Sequence, residues 1–552
     1  MNILWIDLNC SYAHSSLALP ALHAQLQDET EWQWHVVSAT TAENAGSIVT
    51  RIIEHKPDVI AATAWLFNIE SLMHICSRAK AVLCNTKIIL GGPEFLGNNE
   101  HFLRSHEFID CVFRGEGEKG FADWLRVVDC KQQWNSVTGL CFIADDGTYH
   151  DNGKAQISDF AMLRAPEESC FFNWGKPFVQ LETTRGCFNS CTFCVSGGEK
   201  PVRNISIDEV RHRLTNIRQH GIRDVRVLDR TFNYNARYAA DLLALFAEFH
   251  PHMRFHLEIH PALLSDSLKD ILRSLPDGLL HLEAGIQSLN ENVLEACGRK
   301  GSIEKTLQGL NFLCSLDNTV THADLIAGLP LYSYDEIMRD VHTLAQCRAG
   351  EIQLESLKML PGTAIRHDAD KYGLQFSPMP PYEVIQTPYI SAAEMQQARR
   401  LSRLLDAYYN TEAWQKVTRD IMLAEQNFIP LFLEHLTELM LIDQPMSIEK
   451  RGLLLYKFVG EHFPKYSTLV VIAWIRAGLS LKKEPAERIQ TKHITPPDKW
   501  HITKGTYTDN LKLCFLPVSN DKQQGYWFGL ETETQYRKPI FEAHNIGIQP
   551  EA

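Results

Sequence analysis

Three thiols stand at the spacing C-x-x-x-C-x-x-C: Cys187, Cys191 and Cys194, in the stretch Thr183-Thr184-Arg185-Gly186-Cys187-Phe188-Asn189-Ser190-Cys191-Thr192-Phe193-Cys194. Thiolates are soft ligands, suited to zinc or to an iron–sulfur cluster. A structural zinc site takes four ligands, and no fourth Cys or His lies at a matching distance. Three cysteines can instead hold three corners of a four-iron cluster and leave the fourth iron open to a small molecule. The rest of the 14 cysteines are scattered. The amino terminus has no basic segment and reaches Asp7 too soon for a signal peptide. A disulfide scaffold is therefore not expected, and a reducing cytoplasm is.

A loop of ligands needs a rigid frame. From Phe178 onward, strand patterns (Phe178–Glu182, Asp224–Leu228, Arg254–Ile259, His281–Ile286, His322–Ala327 and Ile352–Leu357) alternate with helical ones such as Ile207–His220, Tyr238–His250 and Ile303–Ser315. Six strand–helix repeats with the cysteine loop after the first strand predict a partial TIM-type barrel, with chemistry at the carboxyl ends of its strands. The first 130 residues alternate in the same way, with strands expected at Ile3–Asp7, His35–Ser38, Val59–Thr63, Lys87–Gly91 and Cys111–Arg114. That predicts an α/β domain with a parallel sheet, whose ligands lie beyond the strand ends, near Gly91-Gly92 and Gly115-Glu116. Residues 131–176 read as a connector with a hairpin turned by Asp146-Gly147. Residues 177–390 hold the barrel, 391–480 a mainly helical domain, and 481–552 an extended tail with short β-like pieces.

The cysteine stretch, with aromatic Phe193 before its last thiol, resembles the signature of the radical S-adenosylmethionine enzymes. The pair Leu90-Gly91-Gly92-Pro93-Glu94 and Arg114-Gly115-Glu116-Gly117-Glu118 ahead of it resembles the Rossmann-like cobalamin-binding domain of the cobalamin-dependent members. The resemblance implies a 4Fe-4S cluster on the three cysteines, S-adenosylmethionine on the open iron, and cobalamin on Gly91, Gly92, Gly115 and Glu116. It implies that Phe193 lies against adenine and that Asp229, in Leu228–Asn233, faces the methionine end. Glu258 would accept from an ammonium or a ribose hydroxyl. Gln287 and Ser288, from Gly285-Ile286-Gln287-Ser288, would bond ribose and carboxylate, and Arg299 would clamp the carboxylate. Asp324–Pro330 resembles the family's fifth-strand segment. Glu199 lies too near the cysteine loop to serve as the methionine-binding glutamate. The Asp-x-His-x-x-Gly motif of many cobalamin carriers is absent, with Asp7 and His14 at the wrong spacing, so a base-off cofactor without a protein nitrogen below cobalt is expected. Pro380-Pro381-Tyr382-Glu383 resembles a subgroup whose carboxyl-terminal domain has no assigned role.

The activity implied is methylation of an unactivated carbon. The alternatives are radical cyclisation or rearrangement, as in anaerobic porphyrin-ring cyclases, and a non-catalytic cobalamin or redox sensor. An electron donor such as flavodoxin or ferredoxin is the implied partner. At 552 residues, 45% hydrophobic and 22% charged, the composition is that of a multi-domain globular chain. The net charge of −13 argues against a nucleic-acid partner. No stretch has the length of a membrane span, and the apolar run Leu469–Ile475 reads as a buried helix.

Overall fold

The computed structural model describes residues 1–487 except 12, 15, 160 and 161, residue 489, and the strands Leu511–Pro517, Gly525–Glu531 and Pro539–Asn545. The described chain forms two compact units. One comprises Met1–Asp340, Cys347–Gly350 and Leu354–Ala398, and the other Val341–Gln346, Glu351–Gln353 and Arg399–Ala552.

The first unit opens with a sheet of β1 (Asn2–Asn9), β2 (Gln33–Thr40), β3 (Val59–Thr63), β4 (Lys87–Gly91), β5 (Cys111–Phe113), β6 (Leu140–Ile143) and β7 (Tyr149–Asp151), in the order β2-β1-β3-β4-β5-β6-β7. The first five run parallel. Both faces are covered, so β1 reads as a continuous apolar run rather than an alternation. Leu4, Ile6 and Leu8 join one core with Ile48, Ile52 and Leu72. Ile3 and Trp5 join the other with Phe121, Trp124 and Trp134. The hairpin read as part of a connector extends this sheet: β6 pairs antiparallel with β5, and β7 with β6.

The second sheet comprises β8 (Phe178–Leu181), then, past a short ladder of β9 (Thr184–Arg185) with β10 (Arg203–Asn204), β11 (Asp224–Val227), β12 (Arg254–Ile259), β13 (Leu280–Gln287), β14 (Thr319–Ala327) and β15 (Glu351–Ser356). The order is sequential, β15-β14-β13-β12-β11-β8. The pairs from β8 to β14 are parallel, and helices such as Ile207–Gln219, Ala236–Glu248 and Ile303–Cys314 connect the strands. Apolar residues of each strand face these helices, so β13 alternates strictly between buried and half-buried positions. The polar set His256, Glu258, His281, Glu283, His322 and Asp324 shares the opposite face.

The second unit is helical over Glu412–Ala424, Phe428–Glu438, Ile448–His462 and Ser467–Arg476. Its core is aromatic, with Trp414, Phe428, Phe432, Phe458 and Trp474 buried. Gly452 allows two helices to meet, since a Cβ there would lie 2.4 Å from the Trp414 ring. Leu469–Ile475 lies within the helix Ser467–Arg476, where Val470, Val471, Ile472 and Trp474 are buried. Among the described residues no helix is long and apolar enough to cross a membrane. The three carboxyl-terminal strands form an antiparallel sheet whose Leu516 and Phe528 pack on Val471, Ile472 and Ile475.

Candidate functional site

The cysteine loop leaves the barrel at Leu181 and returns through the β9–β10 ladder. Inside the loop the backbone folds on itself: Cys194 N–H donates to Cys191 O at 3.2 Å, Gly197 N–H to Cys194 O at 2.9 Å, and Cys187 N–H to Glu199 O at 3.0 Å. Gly197 cannot be another residue without rearrangement, because a Cβ would lie 2.2 Å from Cys191 O. Thr192 N–H donates to Cys297 O at 2.8 Å, which ties the loop to the far side of the barrel. The three thiols lie close enough for their charges to interact. Burial pushes Cys191 and Cys194 up; Arg299 pulls Cys191 back against the added push of Cys194 and Cys187, and Ser196 and Arg230 pull Cys194 back against that of Cys187.

Polar atoms around the loop fit a bound group. Asn189 Nδ2, Thr192 Oγ1 and both ring nitrogens of His260 are buried with no hydrogen-bond partner. Buried donors without partners are rare in folded proteins, and sulfur or oxygen acceptors on the loop would satisfy them. Arg299 Nη1 lies 3.8 Å from Cys191 Sγ while Nη2 donates to Gly285 O. Gln287 holds φ at +71°, strained for a residue with a Cβ, at a register break in β13. Glu258 at the end of β12 is pushed up to about 7 by burial, against the pull of Arg230. Phe193 is half-buried within the loop.

Two expected ligand residues have other work. Asp229 is 1% exposed and lies under the loop rather than facing a ligand. Its Oδ1 accepts from Thr183 N–H and Thr184 N–H, each at 2.8 Å, and Oδ2 accepts from Thr183 Oγ1. Burial pushes its carboxyl up to about 6, with the Thr183 and Thr184 bonds pulling the other way. Asp229→Ala should leave two buried N–H groups unpaired, each worth about 1–3 kcal/mol. We expect destabilisation of about 3 kcal/mol in denaturant unfolding and loss of bound iron on desalting, both largely spared in Asp229→Asn. Ser288 is 1% exposed and turned away, its Oγ 3.4 Å from Asp340 Oδ2.

The glycine motifs of the first sheet also take different roles. A Cβ on Gly92 would lie 2.6 Å from Ala64 O, so crowding by the end of β3 accounts for this glycine without any ligand. Gly91 O accepts from Ala64 N–H. Gly115 bridges to Ala155. Glu116 is bound by both Nη atoms of Arg203, at 2.9 and 2.6 Å, and by Ile157 N–H at 2.6 Å. Arg185 reaches Glu118 at 2.6 Å and Glu182 at 2.7 Å. Arg185 and Arg203 are direct partners in the β9–β10 ladder. The loop after β5 thus clamps the neck of the cysteine loop. On another side, Tyr382 OH donates to Glu94 at 2.7 Å, beneath Arg366 stacked on the Tyr382 ring. No local pattern announced these contacts, which join residues 87 and 288 positions apart.

Between the clamps lies a cavity of about 1250 Å³. Cys191, Thr192 and Cys194 line it on the loop side, and Ile69, Met73, Glu94 and Phe95 on the side of the first sheet. Of the expected cofactor-binding residues Gly91, Gly92, Gly115, Glu116, Phe193, Asp229, Glu258, Gln287, Ser288 and Arg299, none is among its walls, and neither is Cys187. His14 is exposed and packs edge-on against Phe178 at 5.9 Å.

Known proteins share this organisation. Residues 6–125 match the B12 binding domain, 181–344 the radical SAM superfamily and 370–461 a protein family of unknown function. The cobalamin-dependent radical SAM methyltransferase TokK of Streptomyces tokunonensis is 22% identical over 351 residues, which are 58% of this chain and 50% of TokK. The chain thus spans about half the length of that relative. The radical SAM methyltransferase TsrM of Kitasatospora setae, solved with cobalamin and a [4Fe-4S] cluster, superposes with a TM-score of 0.56 at 15% identity, over 68% of this chain and 76% of TsrM. The cobalamin-dependent radical enzyme OxsB, solved with aqua-cobalamin and S-adenosylmethionine, gives 0.60 at 13% identity, over 84% of this chain and 75% of OxsB. The chain thus carries a radical SAM domain at residues 181–344 with a B12 binding domain ahead of it at residues 6–125.

Proposed function

We propose that the chain is a cobalamin-dependent radical SAM enzyme that methylates an unactivated carbon of its substrate. The observation that carries this reading is the shared cavity: two cluster cysteines and the edge of the first sheet face one space of about 1250 Å³, large enough for more than one small molecule. The relative TokK, a methyltransferase by name, points to the same chemistry. Bound there, the cluster with S-adenosylmethionine would supply a carbon-centred radical and cobalamin a methyl group, a pairing suited to carbon without a lone pair.

The chain's own residues bind and orient. Cys187, Cys191 and Cys194 are the cluster ligands in this reading. Glu258 and Gln287, at strand ends, and Arg299, in the turn at 298–301, would offer a carboxyl, an amide and a guanidinium to the ammonium, hydroxyl and carboxylate groups of S-adenosylmethionine. Asp229, Arg185 and Arg203 keep the loop in shape. The domain division that suits these roles is 1–130 for cobalamin, 177–390 for the radical chemistry, with a helical 391–480 beyond. A flavodoxin or ferredoxin in a reducing cytoplasm would deliver the electron.

The test is anaerobic reconstitution with iron, sulfide and cobalamin, followed by assay for 5′-deoxyadenosine and product mass. Deoxyadenosine together with a product heavier by one methylene unit is the expected result. Deoxyadenosine with an unchanged or oxidised skeleton would overturn methylation, and a loaded protein that never cleaves S-adenosylmethionine would overturn catalysis.

A further inference from the structure

His260 ends β12 and is 4% exposed, yet neither ring nitrogen has a hydrogen-bond partner. The backbone groups nearest the ring, those of Lys300 and of His260 itself, influence its charge without reaching hydrogen-bond geometry. An imidazole left this way forfeits hydrogen bonds that buried polar groups in folded proteins nearly always make. The surrounding structure nonetheless fixes it with care. Asn233, itself 2% exposed, accepts from His260 N–H at 2.8 Å and donates to His260 O at 3.0 Å. The ring is held between Phe188, the neighbour of Cys187, at 5.9 Å, and Gly301, where a Cβ would press its Cε1 at 3.3 Å. The same 298–301 turn carries Arg299, whose Nη1 reaches toward Cys191 Sγ. A rigidly placed polar ring with unmet bonds, beside the cysteine loop, is preorganised for an acceptor that arrives with the cofactors.

We propose that His260 is a cofactor-contacting residue whose ring N–H donates to an anionic acceptor on the loaded loop: a cluster sulfur, or the carboxylate of the molecule on the open iron. The proposal rests on the reading of function above and assigns to it a residue that the cysteine signature does not include. Burial, reinforced by the Arg299 charge, lowers the imidazole to about 4, so at neutral pH it offers one N–H and no charge. A neutral donor stabilises an anionic acceptor without altering the total charge of the site.

The experiment compares reconstituted wild type with His260→Leu, His260→Asn and His260→Gln. Leucine removes both nitrogens, while asparagine and glutamine return an amide N–H near Nδ1 and Nε2 respectively. Iron content, the cluster midpoint potential without S-adenosylmethionine, and the affinity for S-adenosylmethionine are measured in each. If the acceptor is a cluster sulfur, the leucine variant shifts to a more negative potential and one amide variant returns toward wild type. If it is the carboxylate, the potential holds, affinity falls about tenfold in the leucine variant, and one amide variant restores it. Unchanged potential and affinity in the leucine variant, or equal losses in all three, would overturn the proposal and leave a ring that only packs. Failure of the wild type to take up a cluster strikes the reading of function instead, and is seen before any variant is compared.

Discussion

Replacing any one of Cys187, Cys191 or Cys194 by alanine should abolish the brown absorbance of the reconstituted protein and all cleavage of S-adenosylmethionine. In the reading proposed above, each thiol would hold one corner of the cluster. Cys297 is the informative control, because it is close enough to Cys191 for their charges to interact. Its thiol is pushed up to about 12 by burial and stays protonated, so it is a poor metal ligand. It serves the loop through its backbone, as the carbonyl that accepts from Thr192 N–H. Cys297→Ala should therefore keep cluster and cleavage. Near-normal iron in any of the three loop variants, or its loss in Cys297→Ala alone, would contradict this division of roles.

The parts of the site that were legible in sequence are those with a local signature. The cysteine spacing needs three residues within eight positions. The two sheets follow from apolar runs whose period belongs to the strand itself. The contacts that hold the site together have no such signature. Glu116 sits in a glycine-rich loop at a sheet edge, the usual place of a ligand, and only the folded chain reveals that Arg203 occupies its carboxylate. Asp229 shows the same limit, since a strand-end carboxylate facing a ligand and one buried under a loop share one local sequence. The orphaned ring of His260 is visible only once every neighbouring donor and acceptor has a partner assigned. The hairpin at residues 140–151 is legible from its Asp-Gly turn, but its pairing with β5 depends on an exposed sheet edge that local pattern does not disclose.

Glu116→Ala should loosen the neck of the cysteine loop from a distance, without touching a ligand. Arg203 has 8% of its side chain exposed and Glu116 18%. Deleting one partner of such a pair removes the carboxylate that both Nη atoms of a buried guanidinium meet, which costs about 3 kcal/mol or more. Arg185 also loses a neighbouring carboxylate, at 3.8 Å, but retains Glu118 and Glu182. The expected result is an earlier unfolding midpoint in denaturant, together with faster iron loss from the reconstituted protein. Glu116→Gln, which preserves shape and one acceptor, should fall between. The pH dependence has a definite sign. Burial alone would raise the Glu116 carboxyl, but the bonds from Arg203 and Ile157 N–H and the charge of Arg185 outweigh it, so the folded value lies below the ordinary 4.5. A depressed carboxyl contributes stability above its ordinary value and loses it as pH falls through the folded one. The gap between wild type and Glu116→Ala should therefore be full at neutral pH and close on acidification below about 4.5. A gap that persists unchanged into acid would show that the alanine acts through lost packing, and that the carboxylate clamp does not hold the loop.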